Sequence, residues 1–80
     1  MPAIIKRSLR IAGHATSISL EEPFWTFLRQ KAASEGRSVS DLVEDIDRER
    51  REGNLSSAIR VHLLEWLMSG ARLAPKPEAE

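Results

Sequence analysis

Lys6, Arg7 and Arg10 stand within the first twenty residues, and no acid stands among them. Cations gathered this way at one end of a chain can steer it toward a polyanion, although three basic residues at a chain start also serve solubility alone. The whole protein is formally neutral, with 12 Lys plus Arg against 12 Asp plus Glu. The basic end is balanced further on, where residues 37–52 hold more acids than arginines. A second place for anion chemistry is Arg37-Ser38-Val39-Ser40, just after Gly36. A helix starting there presents unpaired N–H groups and the positive end of its dipole. The same residues also suit a plain capped turn between helices.

Other chemistries find little support. His14 and His62 are the only histidines, they fall in different elements, and there is no Cys, so no metal set is expected. Serines are plentiful, but no Gly-x-Ser-x-Gly elbow surrounds one. Glu21 and Glu22 are adjacent and diverge on a helix, which makes them poor paired acids. No Gly-rich loop follows a strand to cradle a phosphate cofactor. The expectation is no enzyme, no cofactor and no metal.

The elements that must position the basic residues follow from periodicity. Residues 14–20, HATSISL, alternate with period two, placing Ile18 and Leu20 inward and Ala15, Ser17 and Ser19 outward. Leu9 and Ile11 continue the apolar pattern backward with the opposite parity, and Gly13 sits at the change as a bulge or bend. From Glu21 the period becomes helical. Phe24, Phe27, Leu28 and Ala32 recur at three and four, Pro23 fits a first turn, and Gly36 ends the helix. Ser19 or Glu22 could cap its start. Ser38, three before Asp41, opens a second helix with Val39, Leu42, Val43 and Ile46 on one face and a charge run before Gly53. Asn54 caps a third helix. Leu55, Ile59, Leu63, Trp66 and Leu67 form its main stripe, and Val61, Leu64 and Met68 form another. Trp66 is expected in the core, and His62 at its boundary. An exposed second stripe would mark a partner surface.

A single strand cannot stand alone. Its partner is either the N-terminal segment folding back or the same strand from a second copy. The second source is preferred, because an 80-residue chain without disulfides buries only a thin core. The expected organisation is a basic arm over residues 1–13, a domain over 14–69 and a disordered tail over 70–80. The fold class is mostly α with one β-strand per chain. Nothing resembles a signal or a bilayer-spanning run, so no membrane is expected. A cysteine-free chain suits any redox compartment, and the cytoplasm is the default.

SISLEEPFWTFLRQKAASEGRSVSDLV, residues 17–43, resembles the ribbon-helix-helix family of small dimeric DNA-binding regulators. KRSLRIAGHATSISLEE together with NLSSAIRVHLLEWL resembles an uncharacterised bacterial subgroup of it, so that the likeness spans residues 6–67. The resemblance implies a homodimer whose two strands, one per subunit, form a ribbon that enters the major groove of double-stranded DNA. It makes Ala15, Ser17 and Ser19 the base-facing positions. It makes Arg37, Ser38, Val39 and Ser40, together with Lys6, Arg7 and Arg10, the phosphate contacts. Family ribbons usually carry Arg, Lys, Gln or Asn outward, and here serine and alanine stand instead. NLSSAIRVHLLEWL also resembles the family's second helix, but GRSVSDLV follows the first helix by the shorter turn and is preferred. The implied role is transcription regulation. The alternative is a dimeric protein-interaction module, antitoxin-like binding included, that takes a second protein through the third helix.

Overall fold

The turn between Ile11 and His14 decides the architecture. Ala12 and Gly13 both have positive φ, +52° and +84°, as a two-residue type I′ hairpin turn requires. On either side of it β1 (Ile4–Ile11) and β2 (His14–Glu21) pair antiparallel, from Ile11↔His14 to Ile4↔Glu21. The computed structural model describes residues 3–50 and 53–70. From residue 71 on, the expected tail lies outside them.

The chain thus holds two strands where one was expected. The segment expected as a basic arm is β1, which pairs with β2 along its whole length from within the chain. A two-residue loop brings these strands together at small entropic cost. It also explains the parity change: odd positions on β1 face even positions on β2. Leu9 and Ile11 therefore share a face with Ile18 and Leu20, and Gly13 belongs to a turn rather than a bulge.

That inner face covers three helices. α1 (Glu22–Ser34) has Pro23 in its first turn and buries Trp25, Leu28 and Ala32. Neither expected side chain caps it; Glu21 occupies the cap position and makes no side-chain cap bond. Gly36, at φ +67°, closes α1. Gly36 N–H donates to Ala33 O at 3.1 Å and Arg37 N–H to Ala32 O at 3.0 Å, the paired bonds of a Schellman ending. α2 (Val39–Glu49) is capped as expected, with Ser38 Oγ accepting from Asp41 N–H at 3.0 Å. It buries Leu42, Val43 and Ile46. α3 (Leu55–Met68) begins where Asn54 Oδ1 accepts from Ser57 N–H at 2.8 Å, and it buries Ile59 and Leu63. Ile11, Ile18 and Leu20 join these side chains in one core, with Trp66 half-buried against it.

Polar bonds hold the hairpin to the helices at both ends. Near its open end, the buried Trp25 donates Nε1–H to Ile5 O at 2.9 Å, and Arg60 Nε donates to Glu21 Oε1 at 3.0 Å. At the turn, Ala12 N–H donates to Glu44 Oε2 at 2.7 Å. The ribbon is thereby fixed over α1, α2 and α3, with its other face turned to solvent.

Candidate nucleic-acid interface

The outward face of the ribbon is built by alternation from both strands. Lys6 stands opposite Ser19, Ser8 opposite Ser17 and Arg10 opposite Ala15. All are exposed except Ser19, which is half-buried. The expected base-facing set Ala15, Ser17 and Ser19 therefore shares one face, and two of the basic residues lie directly across the ladder from it. The cations that β2 lacks are supplied by β1. Ser8 belongs to the same face and was not among the expected residues. Its signal is the period-two run Lys6, Ser8, Arg10, which carries weight once residues 4–11 form a strand.

Arg7 has the other parity. Its guanidinium lies 5.5 Å from the centroid of the Trp25 ring, a stacking contact on the helix side of the hairpin. The structure thus separates Arg7 from Lys6 and Arg10.

Arg37, Ser38, Val39 and Ser40 stand together at the start of α2, on the helix side rather than on the ribbon's outer face. Arg37 is occupied within the chain. It donates to Asp45 Oδ2 at 2.5 Å, to Asp41 O at 2.7 Å and to Glu35 Oε1 at 3.2 Å. The hydrogen bond with Asp45 raises the pKa of Arg37, and the same bond holds the Asp45 carboxyl below its usual range. The guanidinium therefore braces the α1–α2 junction.

Glu44, Asp45 and Asp47 of α2 are also engaged. Glu44 accepts from the hairpin turn. Asp45 pairs with Arg37 and Arg48, and Asp47 with Arg50 at 2.9 Å. A backbone hydrogen bond first, and Arg60 second, hold the Glu21 carboxyl below its usual value. On the far side of the core, Lys31 is buried, pairs with Glu35 and sits 5.8 Å from the Trp66 ring centroid. His62 is half-buried, its Nε2 has no hydrogen-bond partner, and burial first and the Lys31 charge second push its pKa down. Among the described residues no cluster of His, Asp or Glu could hold a metal ion, and no helix is long and apolar enough to cross a membrane.

A two-stranded ribbon followed by three helices, with the Ser38 turn opening the second of them, is consistent with a ribbon-helix-helix fold that carries an extra C-terminal helix. The family profile described as ribbon-helix-helix domain matches residues 4–67, and the chain belongs to that family. Among solved structures it is similar to an uncharacterized protein from Bordetella pertussis Tohama I, at a TM-score of 0.69 and 34% identity. That likeness covers 82% of this chain and 57% of the other, so this chain spans little more than half of that protein's length. No curated protein matches the chain.

Proposed function

We propose that this chain is a DNA-binding transcriptional regulator, acting as a homodimer, that lays the outer face of its own hairpin in the major groove of double-stranded DNA. The observation that carries the reading is the single exposed face on which Lys6 and Arg10 stand across from Ser19 and Ala15. A two-stranded ribbon fits the major groove, roughly 12 Å wide. Arg10 is the side chain best suited to a guanine edge, through paired donors to O6 and N7. Ser8, Ser17 and Ser19 donate to or accept from several bases, and Ala15 suits a thymine methyl. Lys6 meets a flanking phosphate. Further phosphate contact falls to the N–H groups of Val39 and Ser40, with Arg37 and Ser38 shaping the turn that presents them. Arg7 braces the ribbon through Trp25. Such a role places the protein with the chromosome in the cytoplasm.

The test is fluorescence anisotropy on duplex DNA across a salt series. Each phosphate contact contributes about 0.9 to the slope of log affinity against log salt. Lys6→Ala should flatten the slope by about one contact per chain on that scale. Arg10→Ala should cost sequence preference, at about 1–3 kcal/mol for a lost base contact. No binding at low salt, or a double variant that behaves as the parent, refutes the reading. A second reading, a protein-interaction module, is favoured by the exposure of Val61, Leu64 and Met68. Retention of a stoichiometric foreign protein with no DNA affinity would select it.

A further inference from the structure

Among the described residues, a single hydrogen bond joins the ribbon to α2. Glu44 Oε2 accepts from the N–H of Ala12 at 2.7 Å, across 32 positions of sequence. The donor is a backbone group at the tip of the hairpin. Ile11 pairs with His14, so the ladder closes before the turn and offers the Ala12 N–H no strand carbonyl. The other side-chain bonds between ribbon and helices, Trp25 to Ile5 and Arg60 to Glu21, lie near the open end and lead to α1 and α3. Glu44 therefore ties the tip, and ties it to α2.

Both halves of the proposed DNA contact adjoin this bond. Arg10, the side chain suited to a guanine edge, stands two residues before Ala12. Val39 and Ser40, whose N–H groups suit a phosphate, precede Glu44 on the same helix, about 6–8 Å of helix rise away. Phosphate contacts place a protein on the duplex and base contacts read it. Reading then depends on how rigidly one set is held to the other, and a supporting shell loose by about 1 Å loses a site's precision. The Glu44 charge does not serve this purpose, since an anion near a phosphate-binding surface opposes binding. What the geometry uses is the reach of its acceptor oxygen.

We propose that Glu44 is a positioning residue for base reading: it holds the hairpin tip, and Arg10 with it, at a set place relative to the phosphate-contacting start of α2. This role rests on the DNA-binding reading above.

Two variants separate reach from charge. Glu44→Gln keeps an acceptor oxygen at the same reach and loses the charge. Glu44→Asp keeps the charge and falls one methylene short. Fluorescence anisotropy on the full chain compares a duplex that wild type selects from a random pool with the same duplex after its G·C pairs are changed to A·T. The ratio of the two affinities measures base reading. Glu44→Asp lowers that ratio about tenfold and leaves the salt slope unchanged, whereas Glu44→Gln keeps the wild-type ratio. Amide hydrogen exchange at Ala12, followed by NMR on the free protein, reads the bond itself. The amide is protected in wild type and Glu44→Gln, and exchanges freely in Glu44→Asp. A purely structural role lowers both affinities together and spares their ratio, which overturns the proposal. An Ala12 amide that exchanges as freely in wild type as in Glu44→Asp overturns it without any DNA present. Wild type that binds both duplexes equally, or Glu44→Asp that keeps the ratio, overturns this role and leaves DNA binding standing. Wild type that selects no duplex at all refutes the DNA-binding reading, and this role with it.

Discussion

Ala12 is the residue whose replacement most directly tests how the ribbon is held. It sits at φ +52° with a full side chain, a conformation that costs an L-residue about 1–2 kcal/mol. Asn visits that region far more readily, and Asn-Gly is a favoured sequence for a type I′ turn. Ala12→Asn should recover part of the cost, about 0.5–1 kcal/mol. At about 4–8 °C per kcal/mol for a domain of this size, Tm rises by about 2–8 °C. The bond from the residue-12 N–H to Glu44 belongs to the backbone and survives the change. Gly13→Ala should act in the opposite sense. A Cβ there meets nothing within 4 Å, so no clash enters and the cost is conformational. The left-handed penalty of about 1–2 kcal/mol is offset by about 0.4–1 kcal/mol of reduced freedom in the unfolded chain. The net loss is about 0.5–1 kcal/mol. Thermal denaturation followed by circular dichroism reads both variants. Opposite signs at neighbouring positions are the signature of a type I′ hairpin. A fall in Tm for Ala12→Asn, or no change for Gly13→Ala, refutes that geometry and with it the intrachain ribbon.

Trp25→Phe removes the donor that Ile5 O accepts at 2.9 Å and puts a smaller ring beside Arg7. Denaturant titration should show a loss of about 2 kcal/mol, chiefly from the partly buried carbonyl left without that partner. Acidification should lower Tm in two stages. Burial first, and the Lys31 charge second, hold the folded-state pKa of His62 below the ordinary imidazole value of about 6.5, so the unfolded chain binds the proton more readily. Its contribution is complete above pH 6.5 and declines as pH falls below that value. Glu21, Glu35 and Asp45 titrate below the ordinary carboxylate range, each held down by its hydrogen bonds. Their contribution is held above the ordinary carboxylate range and lost as pH falls through the lower folded pKa values. His62→Phe should abolish the upper stage and keep the lower one.

The helices are legible in the sequence because their signals are local. Gly36 ends α1, Ser38 and Asn54 cap α2 and α3, and the spacing of Leu42, Val43 and Ile46 needs only its own helix to be recognised. β1 is obscured for three physical reasons. Its inward set is Ile5, Arg7, Leu9 and Ile11, and Arg7 interrupts the apolar run because its partner, the Trp25 ring, is distant in sequence. Its turn has Ala12 where Asn or Asp would announce positive φ. The two-residue loop also reverses parity, so Leu9 and Ile11 look out of phase with Ile18 and Leu20 until the strands are paired. The candidate site was half legible for the same reason. Ala15, Ser17 and Ser19 follow from β2 alone, whereas the placement of Lys6, Ser8 and Arg10 across from them requires β1. Nor does sequence spacing reveal that Arg37 is spent on Asp45, eight residues away.

Closing the ribbon within one chain changes what association has to accomplish. A ribbon made of one strand from each of two chains exists only in the dimer, so its outer face appears and disappears with protomer concentration. Here both strands are supplied by residues 4–21, and Trp25, Glu44 and Arg60 hold them to the helices of the same chain. The face carrying Lys6, Arg10 and the serines is already formed in the protomer. In the proposed DNA-binding role, association then adds a second such face at a set spacing, which multiplies affinity for a long duplex through effective concentration without altering either face. On this reasoning, dilution below the range in which the protein dimerises lowers affinity for a long duplex carrying two sites and spares affinity for a duplex too short to hold both ribbons. Equal losses on the two lengths would show that the ribbon face depends on the dimer after all.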